Sequence, residues 1–531
     1  MELTGRSIIG FHPGTFQGKV LYGINPATGE QIPPAYYSAS LEEVGEAVEL
    51  AARAFAVYSH ASGREKAVFL RMVADRVDGL RELLLVRTPQ ETGLPAARIQ
   101  TEIGRTCHQL RLFADLVEEG SWIDARIDRG DPHREPQRRP DVRSLFRPLG
   151  PVAVFGSSNF PLAFSVAGGD TASALAAGNP VIVKAHPAHP GTSELVGRAV
   201  QDAVRDCHLP EGVFSLLYDA GFEIGTALVK HPLVRAAAFT GSRSGGLALM
   251  GAVSSRPVPI PFFAEMSSVN PVFILPGAMR EKRDQIAAGL SSPVTLGAGQ
   301  FCTNPGLVVM AKDAEGDAFV EKMRALMGNF GEFTMLTPGI SSAYHAAVSA
   351  RSERRGVKTV VGHTIRTAPG GCQAGPALFL VDAASYLSHP ELSAEIFGPT
   401  TLLVMHSNRE QLLDVARTME GQLTATLHGT EKDLEEFRDL LAILETRVGR
   451  LIFNGFPTGV EVSNAMVHGG PYPATSDGRT TSVGARAIYR FVRPVCYQSF
   501  PETALPDELK DNNPLGISRM VDGTFSRDAI S

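Results

Sequence analysis

Apolar positions near the start of the chain fall on a helical repeat. Leu41, Val44, Ala47, Val48, Ala51, Ala52 and Phe55 share one stripe of a 3.6-residue period, which predicts a helix over 41–58. The same period runs through 65–86 and from Pro95 to about Glu119. Residues 126–147 break it: Asp128 to Arg134 is polar and proline-bearing, and Val142 to Phe146 alternates. That stretch reads either as a surface loop plus strand or as a projecting hairpin used in assembly. From Pro151 onward short apolar runs alternate with helical ones. Strands are expected at 151–155, 181–183, 213–217 and 236–239, with helices at 162–177, 192–206 and 224–229. Such alternation predicts an α/β fold with a parallel sheet and right-handed crossovers, whose ligands bind beyond the strand carboxyl ends. The runs at 271–275, 306–310, 400–404 and 451–453 continue this texture, and no fixed-period repeat is visible. Tyr489 to Arg493 alternates like a strand, and the segment from Pro501 on reads as an extended strap or a partly disordered end.

Composition narrows the classes. A chain of 531 residues with 44% hydrophobic and 20% charged residues holds several ordinary globular domains. A net charge of -6 supplies no global basic field, so nucleic acid is not an expected partner. Five cysteines (107, 207, 302, 372 and 496) are widely spaced and without CxxC, which argues against a disulfide framework or a zinc site. Met1 to Gly5 lacks the basic start and apolar run of a signal peptide, and no apolar run reaches membrane-spanning length. A reducing cytoplasm is the expected setting, with no membrane partner.

The candidate chemistry centres on Gly299-Gln300-Phe301-Cys302-Thr303, a cysteine in a setting of small residues. A thiol attacks only as thiolate and only where a substrate carbon can approach it, and flanking glycines leave the sulfur unshielded. Asn159-Phe160-Pro161 follows the expected strand 151–155, Lys184 ends the next, and Phe239-Thr240-Gly241-Ser242 ends the fourth and opens a helix. A glycine-serine turn at a helix start offers N–H groups to a phosphate, and a strand-end lysine suits a ribose or phosphate. The GxGxxG fingerprint is absent after the first strand, which counts against a standard Rossmann reading.

These motifs, together with Glu265-Met266-Ser267-Ser268, Glu395-Ile396-Phe397-Gly398-Pro399 and Asn454-Gly455-Phe456, occur in the order and at the spacing of the aldehyde dehydrogenases, which the chain resembles over nearly its whole length. Within them it resembles the branch holding 2,5-dioxovalerate (α-ketoglutaric semialdehyde) dehydrogenases and NADP-using fatty aldehyde dehydrogenases. The resemblance implies a Rossmann-type cofactor domain of residues 1–127 and 147–267 and a catalytic domain of 268–463. It implies an oligomerisation region made of 128–146 and 464–531. It implies Cys302 as nucleophile, Asn159 as oxyanion donor and Glu265 as the base that hydrolyses the thioester. Lys184, Gly221, Gly241, Ser242, Glu395 and Phe397 would hold the cofactor. No carboxylate follows Lys184 closely, since Ala185-His186-Pro187 stands there, so NADP is expected, with NAD also accepted. Arg105 is the candidate for a substrate carboxylate, with Gln109 and Ser157 or Ser158 as helpers and Phe160, Phe164 and Phe456 as apolar walls. The expected substrate is 2,5-dioxopentanoate, with medium-chain or long-chain aliphatic (fatty) aldehydes as the alternative and a catalytically silent scaffold as a third reading. A homodimer or homotetramer is expected.

Overall fold

The first helical repeat becomes the helix Leu41–Tyr58, started by a capping box in which Ser40 and Glu43 each accept from the other's backbone N–H. The structure, a computed structural model, describes residues 2–362 and 371–530. The repeat over 65–86 is split into two helices, Gly63–Gly79 and Arg81–Thr92, broken beside Gly79, a poor helix former. The helix Ala96–Glu119 ends at Gly120, whose φ of 85° is a left-handed cap. Its apolar face (Ile103, Leu110, Phe113) joins Phe69, Leu70 and Val73 of Gly63–Gly79 in one buried cluster. That packing fixes the opposite face of Ala96–Glu119 toward the site described below.

A seven-stranded sheet carries the first half of that site. Its order is Phe262–Glu265, Ala236–Thr240, Val152–Phe155, Val181–Lys184, Phe214–Leu217, Ile8–Ile9 and His12–Pro13. The first five strands pair in parallel, and the two N-terminal strands add antiparallel. Chain order reverses between Val152–Phe155 and Ala236–Thr240. A crevice opens at such a switch point, beyond the strand carboxyl ends. A second seven-stranded sheet runs Lys358–Val361, Ala377–Asp382, Thr400–His406, Leu307–Ala311, Val272–Ile274, Gln422–His428 and Val448–Phe453, antiparallel only at its first strand. The runs expected at 271–275, 306–310, 400–404 and 451–453 all lie in it.

Two further sequence expectations differ from the structure. The helix expected over 162–177 occupies only Gly169–Ala177. The chain before it turns back on itself, with Glu102 accepting the N–H groups of Leu162 and Ala163, and a Cβ at Gly168 would stand 2.5 Å from the Ala163 carbonyl oxygen. Tyr489 lies in a 3-10 helix, Ala485–Phe491, and the strand begins only at Val492. Arg490 is turned inward there, 2.7 Å from Asp170, which an alternating strand would not allow.

The C-terminal segment is ordered. Arg126–Asp128 and Val142–Pro148 pair antiparallel, with the polar stretch between them as the connection. Val492–Gln498 pairs on one side of it, and the hairpin Arg519–Val521 with Thr524–Ser526 pairs on the other. Arg519 is wholly buried, its guanidinium donating to the carbonyls of Lys510, Asp511 and Asp528. Among the described residues no helix is long and apolar enough to cross a membrane.

Candidate active site

The backbone prepares the cysteine before any partner reaches it. Gly297, Ala298 and Gly299 take successive left-handed φ values of 56°, 58° and 64°. That tight winding costs an alanine energy and is held by its surroundings. A Cβ at Gly299 would lie 2.2 Å from the Gly398 carbonyl oxygen, so the cysteine loop and the Glu395–Pro399 segment touch through backbone. Asn270 Nδ2 donates to the carbonyls of Cys302 (2.8 Å) and Asn304 (3.0 Å), and Asn159 Nδ2 donates to that of Gln300 (3.0 Å). Between them they aim the Cys302 side chain, half-buried, toward the end of the first sheet.

Glu265 is the last residue of its strand in that sheet, and the segment 468–482 lies against it. His468 Nε2 is 2.8 Å from Glu265 Oε1 and 3.5 Å from Cys302 Sγ, while Ser482 Oγ donates to Glu265 Oε2 at 2.6 Å. An ionised carboxylate only accepts, so the shared proton belongs on Nε2; His468 Nδ1 is buried without a partner. Burial would lift the Glu265 carboxyl, but the His468 imidazole and hydrogen bonds from His468, Ser482 and Cys302 outweigh it and hold it below the usual carboxylate range. Burial, then the neighbouring Glu265, pushes the Cys302 thiol well above its ordinary value. A proton carried on Nε2 relieves both anions at once.

Such an arrangement can do one kind of chemistry: a thiol nucleophile beside an imidazole and a carboxylate, with an amide donor at hand, makes and hydrolyses a thioester. Residues 16–484 match the family model described as the aldehyde dehydrogenase family. The chain belongs to that family. It is 49% identical over 525 residues to the alpha-ketoglutaric semialdehyde dehydrogenase 2 of Azospirillum brasilense, covering 98% of this chain and 99% of that one. It is 43% identical to the alpha-ketoglutaric semialdehyde dehydrogenase of Acinetobacter baylyi, with 99% of each covered. Among solved structures, an aldehyde dehydrogenase C mutant from Pseudomonas syringae in complex with NAD+ and octanal superposes with a TM-score of 0.80 at 21% identity, covering 94% of this chain and 98% of that one. The protein is thus an aldehyde dehydrogenase that works with a nicotinamide cofactor.

Around this core the dehydrogenase places the other expected residues unevenly. Lys184, Gly241 and Ser242 stand at strand ends of the first sheet, and Ser242 caps the helix Arg243–Ser254 by accepting from Gly245 N–H. Burial lowers the Lys184 ammonium, with Asp219 opposing. Gly221 donates to Asp219 beside Phe222, which is 90% exposed. Glu395 and Phe397 lie with Gly299 and Ser268 around one cavity, and burial pushes the Glu395 carboxyl up to about 7. Two buried hydroxyls at the switch point, Ser157 Oγ and Thr240 Oγ1, have no protein partner. Their orphaned state, with the capped helix start and the lysine, fits a polar ligand such as a dinucleotide in that crevice.

On the substrate side, Phe160 packs edge-on against Phe164 and Phe301, with ring centroids 5.2 and 5.4 Å away. Phe456 stands elsewhere, 5.0 Å from the His428 ring and against Gly289. Arg105 lies over the Phe164 ring and donates to the Val460 carbonyl, and Gln109, one turn on, has a buried Nε2 without a partner. Sequence reasoning passed over Arg98, two turns earlier on the same helix. It sits over the rings of Phe160 and Phe301 and donates to the Asn159 carbonyl, while its Nη1 is buried without a partner. It also passed over His468 and Ser482. His468-Gly469-Gly470 carries the same signal that singled out Cys302, a reactive side chain flanked by glycines.

Proposed function

We propose that this aldehyde dehydrogenase oxidises 2,5-dioxopentanoate, the semialdehyde of α-ketoglutarate, to 2-oxoglutarate, with NADP as oxidant and NAD also accepted. One observation carries the substrate reading. Arg98 and Arg105 share a helix face beside the cysteine, and neither forms an ion pair with a carboxylate among the described residues. Burial disfavours both guanidinium charges, so a carboxylate arriving with the substrate would relieve them. The near-full-length likeness to dehydrogenases named for this semialdehyde supports the same choice.

In this mechanism Cys302 gives up its proton through its hydrogen bond to the Glu265 carboxylate, which releases it to solvent, and attacks the aldehyde carbon to form a thiohemiacetal, while His468 Nε2 keeps its own proton. Asn159 Nδ2 has a second hydrogen free beyond the one given to Gln300, and with the Cys302 N–H it meets the oxyanion. A donor of that kind lowers a barrier by roughly 3–4 kcal/mol. The nicotinamide, when bound, accepts the hydride that leaves a thioester on Cys302. Lys184 and Ser242 would hold the cofactor's ribose and phosphates, Gly221 and Gly241 would let it approach, and Glu395 and Phe397 would meet its nicotinamide side. Glu265 then takes a proton from water, which hydrolyses the thioester to a free carboxylate. A positioned base would destroy a thioester meant for coenzyme A, so hydrolysis is favoured over acyl transfer.

Residues 1–127 and 147–267 would form the cofactor domain and 268–463 the catalytic one. The 128–146 hairpin and 464–531 would serve assembly as a homodimer or homotetramer, with 468–482 also completing the active site. The Phe160, Phe164 and Phe301 cluster favours a second reading, medium-chain aliphatic aldehydes. Steady-state kinetics with 2,5-dioxopentanoate, hexanal and octanal, each with NADP and NAD, tests both. The highest kcat/KM is expected for the oxo acid with NADP. A preference for octanal would defeat the substrate reading, and a strong preference for NAD would defeat the cofactor reading.

A further inference from the structure

Cys302 Sγ, His468 Nε2 and Glu265 Oε1 all lie within 4.8 Å of one another. We propose that they form a ready three-donor site for Zn2+, and that zinc held there blocks the nucleophile reversibly. The donors come from three distant segments, so no local motif announces the site. A tetrahedral zinc with thiolate, imidazole and carboxylate ligands sets neighbouring donor atoms roughly 3.3–3.6 Å apart. The Sγ–Nε2 separation of 3.5 Å already matches, the Nε2–Oε1 separation of 2.8 Å must open, and the sulfur and carboxylate, within 4.8 Å of each other, must settle into the same range as the metal enters. Three protein ligands leave a fourth position for water, as in open zinc sites.

Charge supports the same reading. A thiolate and a carboxylate side by side in a buried site repel, and one proton on Nε2 is what relieves them in the metal-free protein. A dication at that position neutralises both. The thiol proton and the Nε2 proton must leave, the latter moving to Nδ1, which stands buried without a partner, or to water. Softness then selects the ion: thiolate and imidazole suit zinc or cobalt, and a hard cation such as magnesium finds too few oxygens. While metal is bound the dication draws charge from the sulfur and stands in the path of an aldehyde carbon, so the thiolate is a poor nucleophile. Zinc would therefore compete with aldehyde and leave the nucleotide crevice open.

The test reads metal binding and does not depend on which aldehyde is oxidised. Co2+ titrated into the full-length enzyme should raise a thiolate-to-cobalt charge-transfer band that saturates at one ion per subunit, and Zn2+ should bleach it. Zn2+ should abolish dehydrogenase activity in competition with aldehyde, a chelator should restore it, and Mg2+ should do neither. Wild-type protein alkylated beforehand with iodoacetamide should show no band, which keeps the test valid where a variant fails to fold. Cys302→Ser should lose the band, and His468→Asn should weaken zinc binding by at least about 100-fold. A band of full strength in the alkylated enzyme or in Cys302→Ser, or no band in an active enzyme, overturns the proposal.

Discussion

At the scale of single residues, the imidazole between a thiol and a carboxylate decides how the site responds to pH. Burial and Glu265 hold the Cys302 thiol up, Arg105 pulls it down, and His468 Nε2, 3.5 Å from the sulfur, is placed to donate to a thiolate. Replacing His468 with Asn removes that donor, so thiolate should appear only at higher pH than in the wild type. The rate of iodoacetamide labelling against pH should shift alkaline, and kcat/KM should fall by roughly 10²–10⁴-fold; an unchanged labelling profile would remove His468 from this role. Glu395 carries a stability consequence. Burial lifts its carboxyl from an ordinary 4.5 to about 7, eased by hydrogen bonds from Ser267 and Ser268. The folded state therefore holds the proton more tightly than the unfolded one. Its stabilising contribution is fully present below pH 4.5 and is lost as pH rises through about 7. That loss is on the order of 3 kcal/mol. Glu395→Gln should flatten the decline of Tm over this window, and an equal decline in both proteins would contradict it.

At the scale of elements, the helix Ala96–Glu119 and the cysteine loop bear the function. Arg105 and Arg98 project from one face of that helix because its other face is pinned to Gly63–Gly79. Arg105→Ala should raise KM for 2,5-dioxopentanoate about tenfold or more, the worth of a charged hydrogen bond, and leave KM for hexanal nearly unchanged. Equal changes for both aldehydes would remove the assignment. Gly299→Ala should meet the Gly398 carbonyl, since the added carbon would stand 2.2 Å away at a φ of 64°. Strain of roughly 1–3 kcal/mol would displace the sulfur, lowering kcat with little change in cofactor affinity by fluorescence titration.

Much of this was legible in the chain. Short apolar runs at 181–183 and 236–239 are strands because a parallel sheet buries both faces, which leaves a continuous apolar signature. Cys302 and Glu265 were legible through motif and setting. His468 was not, because its partner Glu265 lies 203 residues away and only tertiary contact brings them together. The small-residue run at 162–177 misleads for a related reason. Ala163 and Gly168 are small because the chain folds tightly on itself there, and small residues serve a turn and a helix alike.

At the scale of the whole molecule, the three largest sheets among the described residues divide the work, and the five-stranded one ties the C-terminal segment to the rest. Leu505, Leu509 and Ile517 pack with Ala125, Ile127 and Leu145 under it, and Arg519 closes the strap by holding three carbonyls. Arg519→Ala should leave those acceptors buried without a donor, at a cost on the order of 3 kcal/mol. Hydrogen exchange should then accelerate in 505–530 and in Arg126–Asp128. Unaltered exchange in both segments would mean the strap does not depend on this residue.

The placement of His468 and Ser482 so late in the chain has a bearing on synthesis. A nascent polypeptide emerging from the ribosome displays Cys302 long before the imidazole and the serine that tune Glu265 have been joined. Until that late segment docks, the sulfur keeps the acidity of an ordinary exposed thiol. Completion of the chain then withdraws it from cellular electrophiles, because burial and Glu265 hold the folded thiol above its ordinary value.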